Sequence, residues 1–257
     1  MTAARGGAIL AVAALTLILA TGGGPVPSAA PFLPPSLAHP FGTDDLGRDL
    51  LSAVIAGGRT SLLVGALSVT LALAIGTGAG LIAGLGPRAL DETVMRTADM
   101  VASVPALLVA ILVAGLHGGS ALALALVLGA TRWPVVARIV RAETASLLRM
   151  EHARAAIALG VGPAGLARRH LLPHIGDGVL PVAGILFGGA ILAESTMSFV
   201  GLGDPDRTSW GRLVADGSHF LDRAWWGWAF PALAIVSVSA LVAVAADVVP
   251  HRGRVRR

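Results

Sequence analysis

Glu194 stands in "ILAESTMSFVGLG", a stretch made otherwise of apolar and small residues, and it is the side chain most in need of a chemical explanation. An ionisable group at bilayer depth is costly and marks a translocation pathway or a relay by default. The same carboxyl could instead pair with a neighbouring helix or cap a kink near Ser195 and Thr196, and the sequence leaves both readings open. Arg132 is a poor counter-charge on depth: about 12 residues into its own apolar run, near the end of that span, it should snorkel the other way. His170 and His174 have the i, i+4 spacing of a metal-ligating pair. Pro173 lies between them and no acidic third ligand adjoins, so no metal site is expected there. Asp44, Asp45 and Asp49 fit no calcium-loop spacing and read as caps for a helix starting near Leu46. An HExxH pair, a nucleophile elbow and a paired-carboxylate cleft are all missing, which leaves enzymatic catalysis and a bound cofactor without support. "GTGAG", from Gly76 to Gly80, lacks the third glycine of a nucleotide-binding loop and lies inside an apolar run.

The elements that hold these residues are set by composition. Of 257 residues 55% are hydrophobic and 13% charged, whereas soluble domains carry roughly a quarter of their residues as charge. Lipid is therefore the solvent for most of the chain, and an all-α membrane protein is expected. The net charge of +4 comes from arginines lying mainly between apolar runs, which fits topology control better than nucleic-acid binding. The chain has no cysteine, which excludes disulfides, thiolate metal sites and thiol catalysis. Apolar runs at about 8–23, 61–85, 100–116, 120–136, 178–203 and 224–249 give six expected transmembrane helices. With a cytoplasmic N-terminus, thirteen arginines fall inside and five outside, Arg132 being left unassigned. The first run, "AILAVAALTLILA", also has the marks of a cleavable signal peptide, and its removal would leave five helices in the same orientation. Gly76, Gly80 and Gly84, and again Gly184 and Gly188, repeat at i, i+4 and so require close helical partners.

Between the fourth and fifth runs stands "EHARAAIALGVGPAGLARRHLLP", Glu151 to Pro173. It reads as helix, break, helix. His152, Ala155, Ala156 and Leu159 recur on one face, Gly160 supplies the C-terminal break, and Pro163 opens the second helix. A plain connector enforcing topology is the bland reading, and a DNA-reading motif is improbable between two membrane spans. The positive one is a small knob, Ala-lined for close approach, that sits in a groove of another protein.

This stretch resembles the EAA motif of the membrane subunits of ATP-binding-cassette importers, whose pattern is E-A-A, three residues, G, then about nine residues to I-x-L-P. Ala155, Ala156, Gly160, Leu172 and Pro173 match it, Arg154 stands at the glutamate position, and His170 and Leu171 occupy the stretch where isoleucine is usual. "HPFGTDDLGRDLLSAVIAGGRTSLLVG", His39 to Gly65, together with "ILAESTMSFVGLG" and "SWGRLVADG", resembles the C-type subunit of the dipeptide, oligopeptide and nickel permeases. The likeness runs over about residues 38–249.

The resemblance implies a type I importer permease fold with a cytoplasmic coupling hairpin. It also implies a bacterial or archaeal plasma-membrane protein that binds no ATP itself and carries peptides or a related small solute such as nickel. The expected partners are a homologous B-type permease, two cytoplasmic ATPase subunits and an extracytoplasmic solute-binding protein, with membrane lipid around the helices and no nucleic acid. ATPase coupling would fall to Arg154, Ala155, Ala156, Leu159, Gly160, Leu172 and Pro173, with Glu194 as a pathway candidate. The expected parts are an N-terminal helix at 1–23, then an extracytoplasmic segment at 24–60 with a helix at the pathway mouth. A permease core at 61–249 follows, containing a coupling loop at 137–177, and then a basic tail at 250–257. A secondary transporter or channel not driven by ATP is the alternative, and it has no reason for such a hairpin.

Overall fold

The computed structural model describes residues 29–248. In chain order these form α1 (Leu50–Leu85), α2 (Arg88–Ser103), α3 (Ala106–His117), α4 (Ala121–Leu147), α5 (Glu151–Ala158), α6 (Pro163–Leu166), a π-helical turn (Ala167–Leu171), α7 (Leu172–Phe199), α8 (Trp210–Ser218) and α9 (Trp226–Val248). Among the described residues four stretches are long and apolar enough to cross a bilayer: Leu50–Leu85, Ala121–Leu147, Gly178–Phe199 and Trp226–Ala246. Arg88–Ser103 and Ala106–Leu116, bent by 68° at their junction, qualify together as a fifth. Pro105 causes the break, since it forces Val104 into extended backbone (φ −91°, ψ 122°) that no helix continues. The expected run at 100–116 is thus the end of one helix and the whole of another, and the run at 8–23 lies outside the described residues.

Other boundaries moved for local reasons. α1 begins at Leu50, neither at 61 nor near Leu46, because the Asp49 carboxylate caps it by accepting the Ser52 N–H at 2.9 Å. Asp44 closes the preceding turn, accepting from the N–H groups of Leu46 (2.9 Å) and Arg48 (2.8 Å) and from Arg48 Nε (2.6 Å). α4 continues eleven residues past the expected end at 136, to Leu147, with Pro134 inside it. Arg132 is therefore a mid-helix residue, not one near the end of a span.

The glycine stripes are occupied within the chain. On α1, a Cβ at Gly76 would fall 2.5 Å from Val136 Cβ, at Gly80 2.6 Å from Val140 Cβ, and at Gly84 2.6 Å from Thr144 Cγ2, all on α4. A Cβ at Gly184 of α7 would meet Ala246 of α9 as closely, at 2.5 Å, and one at Gly188 would face Ser239 of α9 at 3.3 Å. The close partners that the spacing requires are α4 and α9, so the stripes give no argument for a second subunit.

At one end of the bundle, residues 29–49, the 200–225 loop and α8 form a cap. Its fixing points are indole donors: Trp210 Nε1 donates to Val54 O at 2.7 Å and Trp226 Nε1 to Thr43 O at 3.1 Å. Phe41 stacks on Phe230 with ring centroids 4.1 Å apart. The hairpin of α5 and α6 stands at the other end.

Candidate functional site

Met150 precedes α5 in extended backbone, and Glu151 in the first turn complements the helix dipole. Gly160 adopts φ +82°, and the chain closes a Schellman motif around it: Gly160 N–H donates to Ile157 O at 3.0 Å and Val161 N–H to Ala156 O at 3.1 Å. Gly162 and Pro163 then open α6, with Pro163 in the first turn. The helix-break-helix reading of the sequence is the observed geometry.

Its faces differ from the expected ones. Ala153 and Ala156 turn inward and are buried, while His152, Ala155 and Leu159 stay outside. Leu159 is 85% exposed at the tip, flanked by half-exposed Ile157 and by exposed Arg154 and Gly160. The single apolar face read from the sequence is thus two surfaces, one anchoring the hairpin and one presenting it.

Pro173 does not break the second limb. It lacks an N–H and its ring would crowd the carbonyl four residues back, and the π-helical turn at Ala167–Leu171 relieves both problems by widening the helix just before it. α6, this turn and α7 therefore run as one continuous limb into the membrane. Leu166, Leu171 and Ile175 from this limb, with Ala156 of α5, join Leu147, Val140 and Val136 of α4 in one buried cluster. Leu172 and Pro173, matched to the motif, are exposed. The anchor is their neighbour Leu171, which the sequence reading named only as a departure from the motif although 171, 175 and 179 recur at helical spacing.

His170 and His174 gain a third neighbour. The His152 ring lies 6.5 Å from that of His170 and 5.7 Å from that of His174, centroid to centroid, and His174 Nδ1 is 2.9 Å from His170 O. Among the described residues no group of three His, Asp or Glu has a metal-holding arrangement.

Glu194 is 2% exposed. Ser61 of α1 donates to its Oε2 and Ser198 of α7 to its Oε1, both at 2.6 Å, and the Trp210 N–H of α8 donates to Ser61 Oγ at 3.3 Å. The carboxyl joins three elements, and Arg132 is not its partner. Arg132 instead lies over Gly189 of α7, where a Cβ would be 2.7 Å from its Nη1. At the α2 side of α4, Arg138 Nη2 donates to Asp99 at 2.7 Å and Arg141 Nη2 to Asp91 at 2.6 Å. In the cap, Asp216 has its carboxyl pushed above the usual range, chiefly by burial, with Arg212 opposing the shift.

The binding-protein-dependent transport system inner membrane component family matches residues 76–255, including both limbs of the hairpin and α7. The chain belongs to this family. A protein of Brucella suis biovar 1 named as a peptide permease is 37% identical over 205 residues, which cover 79% of this chain and 68% of that one. The dipeptide transport system permease protein DppC of Alkalihalophilus pseudofirmus is 35% identical over 205 residues, 79% of this chain and 67% of its own. Among solved structures, an inward-facing conformation of the MetNI methionine ABC transporter superposes with a TM-score of 0.63 at 18% identity, covering 76% of this chain and 93% of that one. The fold is that of a type I importer permease. This family member is a multi-pass plasma-membrane subunit of an ATP-binding-cassette importer, a transport component and not an enzyme, and it works with ATPase and binding-protein partners. Nothing in these likenesses favours a secondary transporter or channel.

Proposed function

We propose that this permease carries peptides or a related small solute, such as a nickel complex, as the C-type half of a heterodimeric pathway. A homologous B-type permease supplies the other half, two ATPase subunits receive one hairpin from each permease, and a solute-binding protein delivers cargo at the cap end. The relatives named as peptide and dipeptide permeases support the cargo class. In this reading the hairpin end is cytoplasmic, the cap end is extracytoplasmic, and both termini lie inside, in keeping with the arginine distribution. The coupling loop is kept at 137–177, running from the cytoplasmic end of α4 through the hairpin to the start of α7.

Arg154, Ala155, Leu159, Gly160, Leu172 and Pro173 form the surface that docks on the ATPase, and Ala156 anchors it from behind. One observation carries this assignment: the limb behind the exposed tip is continuous through the π-helical turn into α7 and clamped by Leu171, so a push on the tip moves a membrane span. Closure of the ATPase pair on nucleotide tips the helices because the docked hairpin makes different contacts in the two states. The test is Leu159→Asp in the reconstituted importer. Uptake and binding-protein-stimulated ATP hydrolysis should both fall at least about tenfold, since a charge in an apolar socket costs more than a few RT, while insertion and assembly of the permease pair persist. Normal stimulation in this variant would refute the docking role.

A further inference from the structure

Arg132 is a cation at the middle of the membrane-spanning bundle that no described side chain neutralises. It is the twelfth of the 27 residues of α4, and Gly189, which it covers, is the twelfth of the 22 residues of the span Gly178–Phe199. Among the described residues it makes no ion pair or hydrogen bond. The segments 1–28 and 249–257 contain no Asp or Glu that could supply a partner. Glu143 lies eleven residues along α4, about 16 Å of helix rise away, and both oxygens of Glu194 are already engaged by Ser61 and Ser198.

Arg132 is partly buried where α4 meets α7, with its guanidinium against Gly189. Gly189 leaves no side chain over it. An arginine at this depth does not face hydrocarbon; it faces a water-filled path or an anion. We propose that Arg132 lines the translocation pathway and binds the carboxylate of the passing solute, the C-terminal carboxylate where the solute is a peptide. This rests on the peptide-importer reading above. A planar guanidinium pairs with a carboxylate through two parallel hydrogen bonds, and the terminal carboxylate is the one anion that every unmodified peptide carries, whatever its side chains. A midplane arginine thus grips cargo without reading its sequence.

The test uses the complete importer in proteoliposomes, with trialanine and trialanine amide as probes. The binding protein's affinities for the two are measured separately and divided out. The wild type should carry the free acid faster than the amide. Arg132→Gln should lower uptake of the acid roughly tenfold, as loss of a charge-assisted bidentate pair does, and bring the acid-to-amide ratio to about one, while Arg132→Lys should keep most of the preference. An unchanged ratio in Arg132→Gln would overturn the proposal. So would loss of the paired permease on purification of Arg132→Gln but not of Arg132→Lys, which would assign the arginine to an ion pair between subunits. A wild-type importer that carries neither peptide would overturn the peptide reading, and this proposal with it; one that carries both with a variant-insensitive ratio overturns this proposal alone.

Discussion

Gly160 is held at φ +82° with nothing within 4 Å of where a Cβ would stand, so substitution there is opposed by backbone strain and not by a clash. Gly160→Val should therefore cost about 1–2 kcal/mol of local stability and misplace the tip, lowering coupled ATP hydrolysis with the protein still inserted; Gly160→Asn should cost less, and hydrolysis assays on both rank them. Glu194 behaves differently. Glu194→Ala would leave the hydroxyls of Ser61 and Ser198 without their acceptor in a buried site, at a cost of roughly 2–4 kcal/mol, and Glu194→Gln should be milder because its amide oxygen still accepts. Thermal unfolding in detergent checks this, and a loss of transport at unchanged stability would assign Glu194 to the pathway. For Asp216 the sign follows from burial: its carboxyl is raised when folded, so its ionisation opposes folding as pH rises above the ordinary carboxylate value. Asp216→Asn should raise the Tm at neutral pH, with the gain vanishing below about pH 4. The sequence showed that Glu194 needed a partner, but Ser61 lies 133 residues away, and only the fold selects it over Arg132.

Among the helices, the i, i+4 glycine spacing was legible and its use was not, because spacing fixes a face without naming what meets it. Gly80→Leu should overpack the α1 and α4 contact by about 1–3 kcal/mol and depress folded yield. Gly78→Ala, with nothing within 4 Å of the added carbon, should leave it unchanged or improve it. Equal yields from the two variants would show that the stripe is not a packing seam. The hairpin was legible for a stronger reason: Gly160 and Pro163 each have one backbone conformation or position that suits them, and both fell where expected. The π-helical turn was not legible, since a proline in mid-helix reads as a break unless the preceding turn widens, and no local residue type announces that. The split at Pro105 was hidden by the apolar character of the residues on both sides.

The whole molecule is a bundle fixed at both ends, by tryptophan donors in the cap and by the Leu171 cluster at the hairpin. Motion imposed on the tip therefore has a stiff route into α7. With the glycine stripes used internally, the proposed second permease rests on the hairpin, which in that proposal engages one ATPase of a pair that offers two grooves. Because the chain contains no cysteine, Leu159→Cys gives one thiol at the tip, and its cross-linking in the assembled importer tests the coupling claim directly. The expected result is a cross-link to an ATPase subunit whose yield differs between nucleotide-free and ATP-bound states. A thiol that reacts freely with a soluble maleimide in both states and never captures an ATPase subunit would contradict it.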